Sequence, residues 1–239
     1  MLYLYGPVNS RRLGFSLGMT LTPSKACNFD CIYCQLGKTS DKTGERKEYI
    51  PPEEILAEFK LWLLNNPSEA SRLNYVTLSG SGEPLLHDKI GRLITEIKKI
   101  TSLPVAVLTN SSLLGAPGVR QELSGAGLIV PSLDAATQEV FEKIDRPLSG
   151  IKIKNIIDGL IALRKEFAGQ IWLEVMLVKG VNDVLPEIRK LKEAIDKINP
   201  DKVQLNSPVR ATSEPGILPV GKSKLQKIKE IIGDKCEIL

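Results

Sequence analysis

The sequence predicts an α/β fold in which parallel strands alternate with helices. Short runs rich in β-branched residues alternate with runs whose apolar residues recur at the period of an α-helix, which is typical of repeated β-loop-α units. Polar and glycine-rich stretches such as SGSGEP, TNSS and SLDA follow the predicted strands. Such units form either an open doubly wound sheet or a curved, partly closed barrel, and both bind ligands at the carboxyl ends of their strands.

Six strands and five helices are predicted from these patterns. The strands cover residues 19–23, 75–78, 105–108, 128–132, 172–178 and 202–206. The helices cover residues 53–64, 88–100, 153–167, 185–198 and 222–232. A helix thus follows nearly every strand.

Length and composition indicate a globular chain. It has 239 residues, of which 42% are hydrophobic and 25% are charged, a balance that supports a complete core and excludes a disordered chain. No linker rich in Pro, Ser or Gly interrupts the sequence. We therefore expect residues 1–239 to form one domain.

Charge and the first residues restrict the partners. Lys and Arg number 32 against 28 Asp and Glu, and the resulting charge of +4 falls short of a nucleic-acid-binding signature. The opening MLYLYGPVNSRRLG does not resemble a secretory leader, and no segment is apolar for long enough to cross a bilayer. We expect a cytoplasmic protein with no membrane partner.

Three of the four cysteines lie within eight residues, in the stretch ACNFDCIYCQLG. A structural zinc site would need four protein ligands in two pairs, but the only histidine is His87 and the remaining cysteine, Cys236, is distant in sequence. A disulfide would leave an odd thiol in a reducing compartment. Cysteines buried merely as small apolar residues would have no reason to cluster.

An iron–sulfur cluster accounts for the odd number of thiols. Cubane clusters are usually held by four thiolates, so the three from Cys27, Cys31 and Cys34 would leave one iron open to a substrate or a cofactor. The spacing therefore favours a cluster over zinc or chance.

Polar residues after other strands are further candidates. Gly80 and Gly82 would let the backbone approach a ligand closely, and Glu83 could bind a cation, although an ordinary glycine-rich turn explains the same residues. Ser132 and Asp134 either bind a ligand or cap a helix.

Several other residues keep two interpretations each. Asn110 and Asn206 are candidates at the barrel rim, although asparagine in a turn needs no ligand. Glu174 interrupts an apolar strand, so inside a barrel it must be paired or face a ligand, whereas toward the helices a salt bridge would suffice. Arg11 and Arg12 could reach a phosphate or a carboxylate of a substrate, or they are solvated surface residues.

The spacing C-x3-C-x2-C, with Tyr33 directly before the last cysteine, resembles the signature of the radical SAM superfamily. This resemblance implies a single-domain partial (β/α)6 barrel. It also implies a 4Fe-4S cluster on Cys27, Cys31 and Cys34, with S-adenosylmethionine bound to the open iron through its amino and carboxylate groups.

The resemblance extends to the other motifs. SGSGEP resembles the element in which the backbone and a Glu hold the methionyl ammonium, and SLDAA occupies the place of side chains that bind the ribose hydroxyls or the methionyl carboxylate. The residues expected to bind the cofactor are Tyr33, Gly80, Ser81, Gly82, Glu83, Asn110, Ser132, Asp134, Glu174 and Asn206.

The resemblance implies an activity. Reductive cleavage of S-adenosylmethionine would give a 5'-deoxyadenosyl radical that abstracts hydrogen from a substrate, with the electron supplied by a flavodoxin-like or ferredoxin-like protein. The motifs are most similar to the wyosine synthase branch, although its second set of three cysteines is absent from this sequence. The substrate classes expected are an RNA or a small molecule. The alternatives are an enzyme that installs a glycyl radical on a partner protein and a non-catalytic electron carrier.

Overall fold

The computed structural model describes residues 2–239. Its strands are β1 (Leu4–Ser10), β2 (Gly14–Thr20), β3 (Ala26–Cys27), β4 (Asp41–Lys42), β5 (Tyr75–Ser79), β6 (Val105–Thr109), β7 (Leu128–Pro131), β8 (Gln170–Met176), β9 (Lys202–Asn206) and β10 (Cys236–Ile238). Its helices are α1 (Pro52–Asn65), α2 (Pro67–Ala70), α3 (Ile90–Ile100), α4 (Pro117–Glu122), α5 (Gln138–Ile144), α6 (Ile153–Glu166), α7 (Leu185–Ile198) and α8 (Lys222–Ile232).

Eight of the strands form one open sheet in the order β1-β2-β5-β6-β7-β8-β9-β10. β1 pairs antiparallel with β2, and every later pair in this sheet is parallel. The short strands β3 and β4 pair separately. The predicted α/β fold with a mostly parallel sheet is confirmed.

A contact across the inside of the sheet requires the sheet to be curved. Arg12 lies in the turn between β1 and β2, yet its guanidinium forms an ion pair with Glu174 on β8. β2 and β8 are four strand positions apart, so in a flat sheet they would be separated by roughly 19 Å. That is farther than an arginine side chain reaches, and the sheet therefore curls into an open barrel.

The two faces of the sheet bury different apolar sets. The convex face packs against the helices, and α3 contributes its fully buried Ile90, Leu93, Ile94 and Ile97, which are the predicted stripe. The concave face holds a smaller cluster that fills the base of the barrel. Its buried members are Leu13, Ala106, Leu128 and Val130.

Leu13 belongs to the turn between β1 and β2, so this turn closes the base of the barrel. Tyr75, Leu108 and Trp172 pack against the same cluster from neighbouring strands. The open space inside the barrel is therefore confined to the half near the carboxyl ends of the strands.

The predicted elements agree with the structure except at the two ends of the sheet. All five predicted helices are present with ends within two residues of the prediction. The first strand was predicted too far along the chain, at residues 19–23, whereas β2 begins at Gly14 and ends at Thr20. The edge strands β1 and β10 and the short helices α2, α4 and α5 were not predicted. None of the helices formed by residues 2–239 is long and apolar enough to cross a membrane.

Candidate functional site

A cavity of about 610 Å³ opens at the carboxyl ends of the strands, in the size range of small-molecule sites. Strand residues, the cysteine loop and the β1–β2 hairpin all contribute to its wall. The wall consists of Leu2, Leu4, Tyr5, Arg12, Thr20, Tyr33, Cys34, Gln35, Leu36, Ser79, Gly80, Ser81, Leu108, Ser132, Glu174 and Met176.

The predicted site residues divide into three groups around this cavity. Those on its wall are Cys34, Tyr33, Gly80, Ser81, Ser132 and Glu174. Asn110 and Asp134 line a small neighbouring cleft, to which Tyr33 and Ser132 of the cavity wall also contribute. Those that line neither space are Cys27, Cys31, Gly82, Glu83 and Asn206.

The three clustered cysteines are half-buried and form no disulfide. Cys27 ends β3, its sulfur accepts a hydrogen bond from the backbone N–H of Phe29 at 3.4 Å, and the Cys31 thiol donates to Oδ1 of Asp145 at 3.2 Å. Burial raises the pKa of Cys27 to about 12 and that of Cys31 well above its usual range, with nearby carboxylates adding to both shifts. These thiols are therefore protonated until a metal displaces the proton.

The donor set fits an iron–sulfur cluster by its chemistry. All three candidate ligands are cysteine sulfurs, the soft donors that usually hold cubane clusters. In a cubane each thiolate binds a separate iron atom. The three cysteines lie on one loop, and Cys34 is on the cavity wall.

The cysteine loop is joined to the glycine turn that follows β5. The N–H of Glu83 donates to the carbonyl oxygen of Ala26 at 2.9 Å, directly before Cys27. A Cβ added to Gly82 would overlap that same carbonyl oxygen, so only glycine fits there. Gly80 has a φ of +97°, and a Cβ on it would overlap Thr20. The two glycines thus hold the turn against the cysteine loop.

The Glu83 carboxylate points into the protein. It accepts hydrogen bonds from the hydroxyl of Thr109 at 2.7 Å, from the N–H of Asn110 at 2.7 Å and from the N–H of Leu85 at 3.0 Å. Burial raises its pKa to about 7 against these hydrogen bonds, which lower it. In this structure Glu83 ties the glycine turn to the end of β6.

Glu83 gives a pH dependence of stability. Its pKa is higher in the folded chain, about 7, than the unperturbed value of 4.5, so the folded chain binds the extra proton between these values. The stability that this proton contributes is present below about pH 4.5 and is lost as the pH rises through 7. We expect the free energy of unfolding of wild type to fall over this window by on the order of a few kcal/mol more than that of Glu83→Gln.

Urea unfolding at several pH values between 5 and 8 measures this difference. Glu230→Gln, at an exposed position on α8, is the matched control and should leave the wild-type slope unchanged. Equal slopes for wild type and Glu83→Gln would contradict the assignment.

Asp134, Tyr33 and Asp145 form a buried polar group beside the cysteine loop. The Tyr33 hydroxyl donates to Oδ2 of Asp134 and lies 3.5 Å from Oδ1 of Asp145. Oδ1 of Asp134 accepts from the N–H of Met176 at 2.8 Å, so this residue does not cap a helix, and α5 begins only at Gln138. Burial raises the pKa of both carboxyls, that of Asp145 to about 7.

Asn110 connects the end of β6 to the cysteine loop. Its amide Nδ2 donates to Oδ1 of Asn28 at 2.7 Å and lies 3.6 Å from the Cys27 sulfur, while its Oδ1 accepts from Ser112. Its side chain is therefore engaged within the protein.

Glu174 points into the barrel and is paired there. Its Oε2 accepts from Arg12, and its Oε1 accepts from Nδ2 of Asn206 at 3.0 Å. Nη2 of Arg11 lies 3.3 Å from Oδ1 of Asn206. Arg12 is therefore directed into the barrel toward β8, whereas Arg11 remains exposed and makes one contact with β9.

Two site features were not predicted from the sequence. Asp145 is buried and contacts Cys31. In the sequence it is an ordinary carboxylate at the end of a helix, and no motif marks it as a site residue. Tyr5 and Ser79 meet across the cavity wall through their hydroxyl groups. Tyr5 lies on β1, where the Gly6–Pro7 pair interrupts the alternation on which a strand prediction depends.

The fold is an open α/β barrel with a cavity at the carboxyl ends of its strands, and three free cysteines lie on a loop beside that cavity. These features together are typical of barrel enzymes that bind an iron–sulfur cluster. The chain belongs to the Radical SAM superfamily, whose family model matches residues 21–192. It is an enzyme of that superfamily, as the sequence motifs predicted.

The chain is also similar to individual proteins and to solved structures. A UPF0026 protein of Methanocaldococcus jannaschii is 35% identical over 246 residues, which cover 100% of this chain and 75% of that protein. A protein of Brachyspira hyodysenteriae named GTPase Obg is 40% identical over 98% of this chain, which spans 34% of that protein. The structure of a radical SAM methyltransferase from Sphaerobacter thermophilus is similar with a TM-score of 0.73 at 15% identity, covering 94% of this chain and 65% of the methyltransferase.

Residues 216–223, GILPVGKS, match the spacing of a phosphate-binding loop. Their backbone is used differently here. Pro219 forms a bridge with Val178, the N–H of Val220 donates to the hydroxyl of Ser207 at 2.9 Å, and Lys222 is exposed. The stretch therefore does not form the cradle of backbone N–H groups that holds a nucleotide phosphate.

Proposed function

We propose that this enzyme cleaves S-adenosylmethionine reductively and uses the resulting radical to abstract hydrogen from a small substrate in the barrel. The observation that carries the proposal is the position of the three free thiols beside the glycine turn, with Cys34 on the cavity wall. Cys27, Cys31 and Cys34 would hold a 4Fe-4S cluster. When bound, the cluster would supply the electron that breaks a carbon–sulfur bond of S-adenosylmethionine, which gives methionine and a 5'-deoxyadenosyl radical.

The chain's own groups would position the cofactor and keep the site dry. The backbone at Gly80 and Ser81 lies on the cavity wall and would approach the methionyl part closely. Ser132 on the cavity wall is available to a ribose hydroxyl, and Tyr33, which lines the same cavity, is fixed by Asp134. The apolar base beneath the cavity would exclude water from the radical.

Anaerobic reconstitution tests the proposal. The protein would be loaded with iron and sulfide, reduced by dithionite and mixed with S-adenosylmethionine, and 5'-deoxyadenosine and methionine would be quantified. Cleavage above the background of metal-free protein supports the proposal. Stoichiometric binding of zinc in place of a cluster, or a cluster that does not cleave S-adenosylmethionine, contradicts it.

The electron donor and the substrate follow from further arms of the same assay. A flavodoxin or ferredoxin replacing dithionite should sustain cleavage. Stimulation of cleavage by transfer RNA, or transfer of a glycyl radical to a protein, would replace the small substrate by a macromolecular one.

A further inference from the structure

The guanidinium of Arg12 faces the cavity with most of its donors uncommitted. Its Nη1 donates to Glu174, and no other hydrogen bond from this guanidinium is formed within residues 2–239. About a quarter of the side chain, 26%, is exposed. Since a guanidinium has five N–H donors in a planar fork, several remain for a ligand.

Glu174 fixes this guanidinium in place. Both carboxylate oxygens of Glu174 are occupied, Oε2 by Arg12 and Oε1 by the amide of Asn206 at 3.0 Å. Arg12 and Glu174 are the only charged side chains on the cavity wall among the residues that the structure describes. The cation is therefore held at one corner and turned toward the open space.

Hydroxyl groups and apolar side chains surround Arg12. Tyr5 and Ser79 share one hydrogen bond, so one of their two hydroxyl protons remains available to a ligand. Burial raises the pKa of Tyr5, which keeps the phenol a neutral donor. Leu4 and Met176 add apolar surface to the same wall. The wall thus offers a cation, a hydroxyl donor and apolar contact together.

We propose that Arg12, oriented by Glu174, binds the carboxylate or phosphate of a small organic substrate inside the barrel. Planar bidentate recognition of such groups is what a guanidinium provides and an ammonium does not. The inference rests on the proposed function for the reaction that this substrate undergoes. Arg12 precedes the residues 21–192 that match the superfamily, so the hairpin outside the matched region contributes the cation, whereas Glu174, which orients it, lies within that region.

Binding of two anionic probes tests the site. The 239-residue protein, purified anaerobically, would be titrated calorimetrically with inorganic pyrophosphate and with glutarate at constant ionic strength. We expect at least one probe to bind wild type, Arg12→Gln to weaken binding at least tenfold and Arg12→Lys to weaken it less. The stronger probe distinguishes a phosphate from a carboxylate substrate.

Arg189→Gln is the matched control, because it removes the same charge from an exposed side chain on α7 that is not on the cavity wall. It should change the affinity less than twofold. Equal weakening by Arg189→Gln and Arg12→Gln, or no binding of either probe to wild type, overturns the site. If Arg12→Gln does not fold, wild type decides: a bound probe should slow phenylglyoxal modification of Arg12 but not of Arg189.

The failure of this inference is distinguishable from failure of the proposed function. Wild type that cleaves S-adenosylmethionine and binds neither probe overturns the anion site alone. Wild type that binds a probe through Arg12 and does not cleave S-adenosylmethionine overturns the proposed function alone.

Discussion

Replacing Cys34 by alanine is expected to abolish both iron–sulfur loading and cleavage of S-adenosylmethionine. A cubane held by three thiolates already has one iron without a protein ligand. Losing the Cys34 thiolate would leave two irons without one, and the cluster would be held by only two cysteines. Cys34 also lies on the cavity wall, so its sulfur is the one that borders the space for a ligand. Iron and sulfide content, the visible chromophore and 5'-deoxyadenosine formation measure the effect.

Cys27→Ala and Cys31→Ala should behave in the same way, and Cys236→Ala is the matched control. Cys236 is buried in β10 at the opposite end of the chain, away from the cysteine loop. Its replacement should leave iron content and cleavage at wild-type levels. A Cys34→Ala protein that retains its chromophore and its cleavage rate would show that the cluster is held by other residues.

Gly82→Ala has the second largest expected effect, because it separates the two halves of the site. The added Cβ would overlap the carbonyl oxygen of Ala26, which accepts the N–H of Glu83. Overpacking against backbone and the loss of that hydrogen bond should together cost roughly 3 kcal/mol or more. The cysteine loop would move away from the glycine turn, and reconstitution with iron should fail in the protein that still folds.

Gly118→Ala on α4 tests whether the effect is specific to the contact between the glycine turn and the cysteine loop. A Cβ at Gly118 has open space around it, and alanine is the better helix former. Urea unfolding and iron content should match or exceed wild type for this variant. Equal stability of Gly82→Ala and wild type would contradict the close approach of the two segments.

The pattern of apolar residues was sufficient to predict the centre of the fold. The central strands β5 to β9 are buried on both faces and flanked by amphipathic helices, so their local signals agree with their tertiary surroundings. The edge strand β1 carries exposed residues and the Gly6–Pro7 pair, and β10 has only three residues. Their place depends on partners that are remote in sequence, which no local pattern encodes.

The candidate site was predictable where one motif carries the chemistry. The spacing of Cys27, Cys31 and Cys34 indicated a metal-binding loop, and the structure places that loop beside the cavity. The direction of a carboxylate was not predictable in the same way. Glu83 points away from the cavity and Glu174 points into it, and only the pairing of distant strands decides between these outcomes.

The closed base of the barrel affects the order in which molecules can come and go. Leu13 and its neighbours block passage through the bottom, so molecules must enter and leave near the carboxyl ends of the strands. A substrate bound next to Arg12 would therefore be unable to leave while the cofactor occupies the outer part of the cavity. Steady-state kinetics should therefore follow a compulsory sequence, first in and last out, which the hairpin turn imposes on the catalytic cycle.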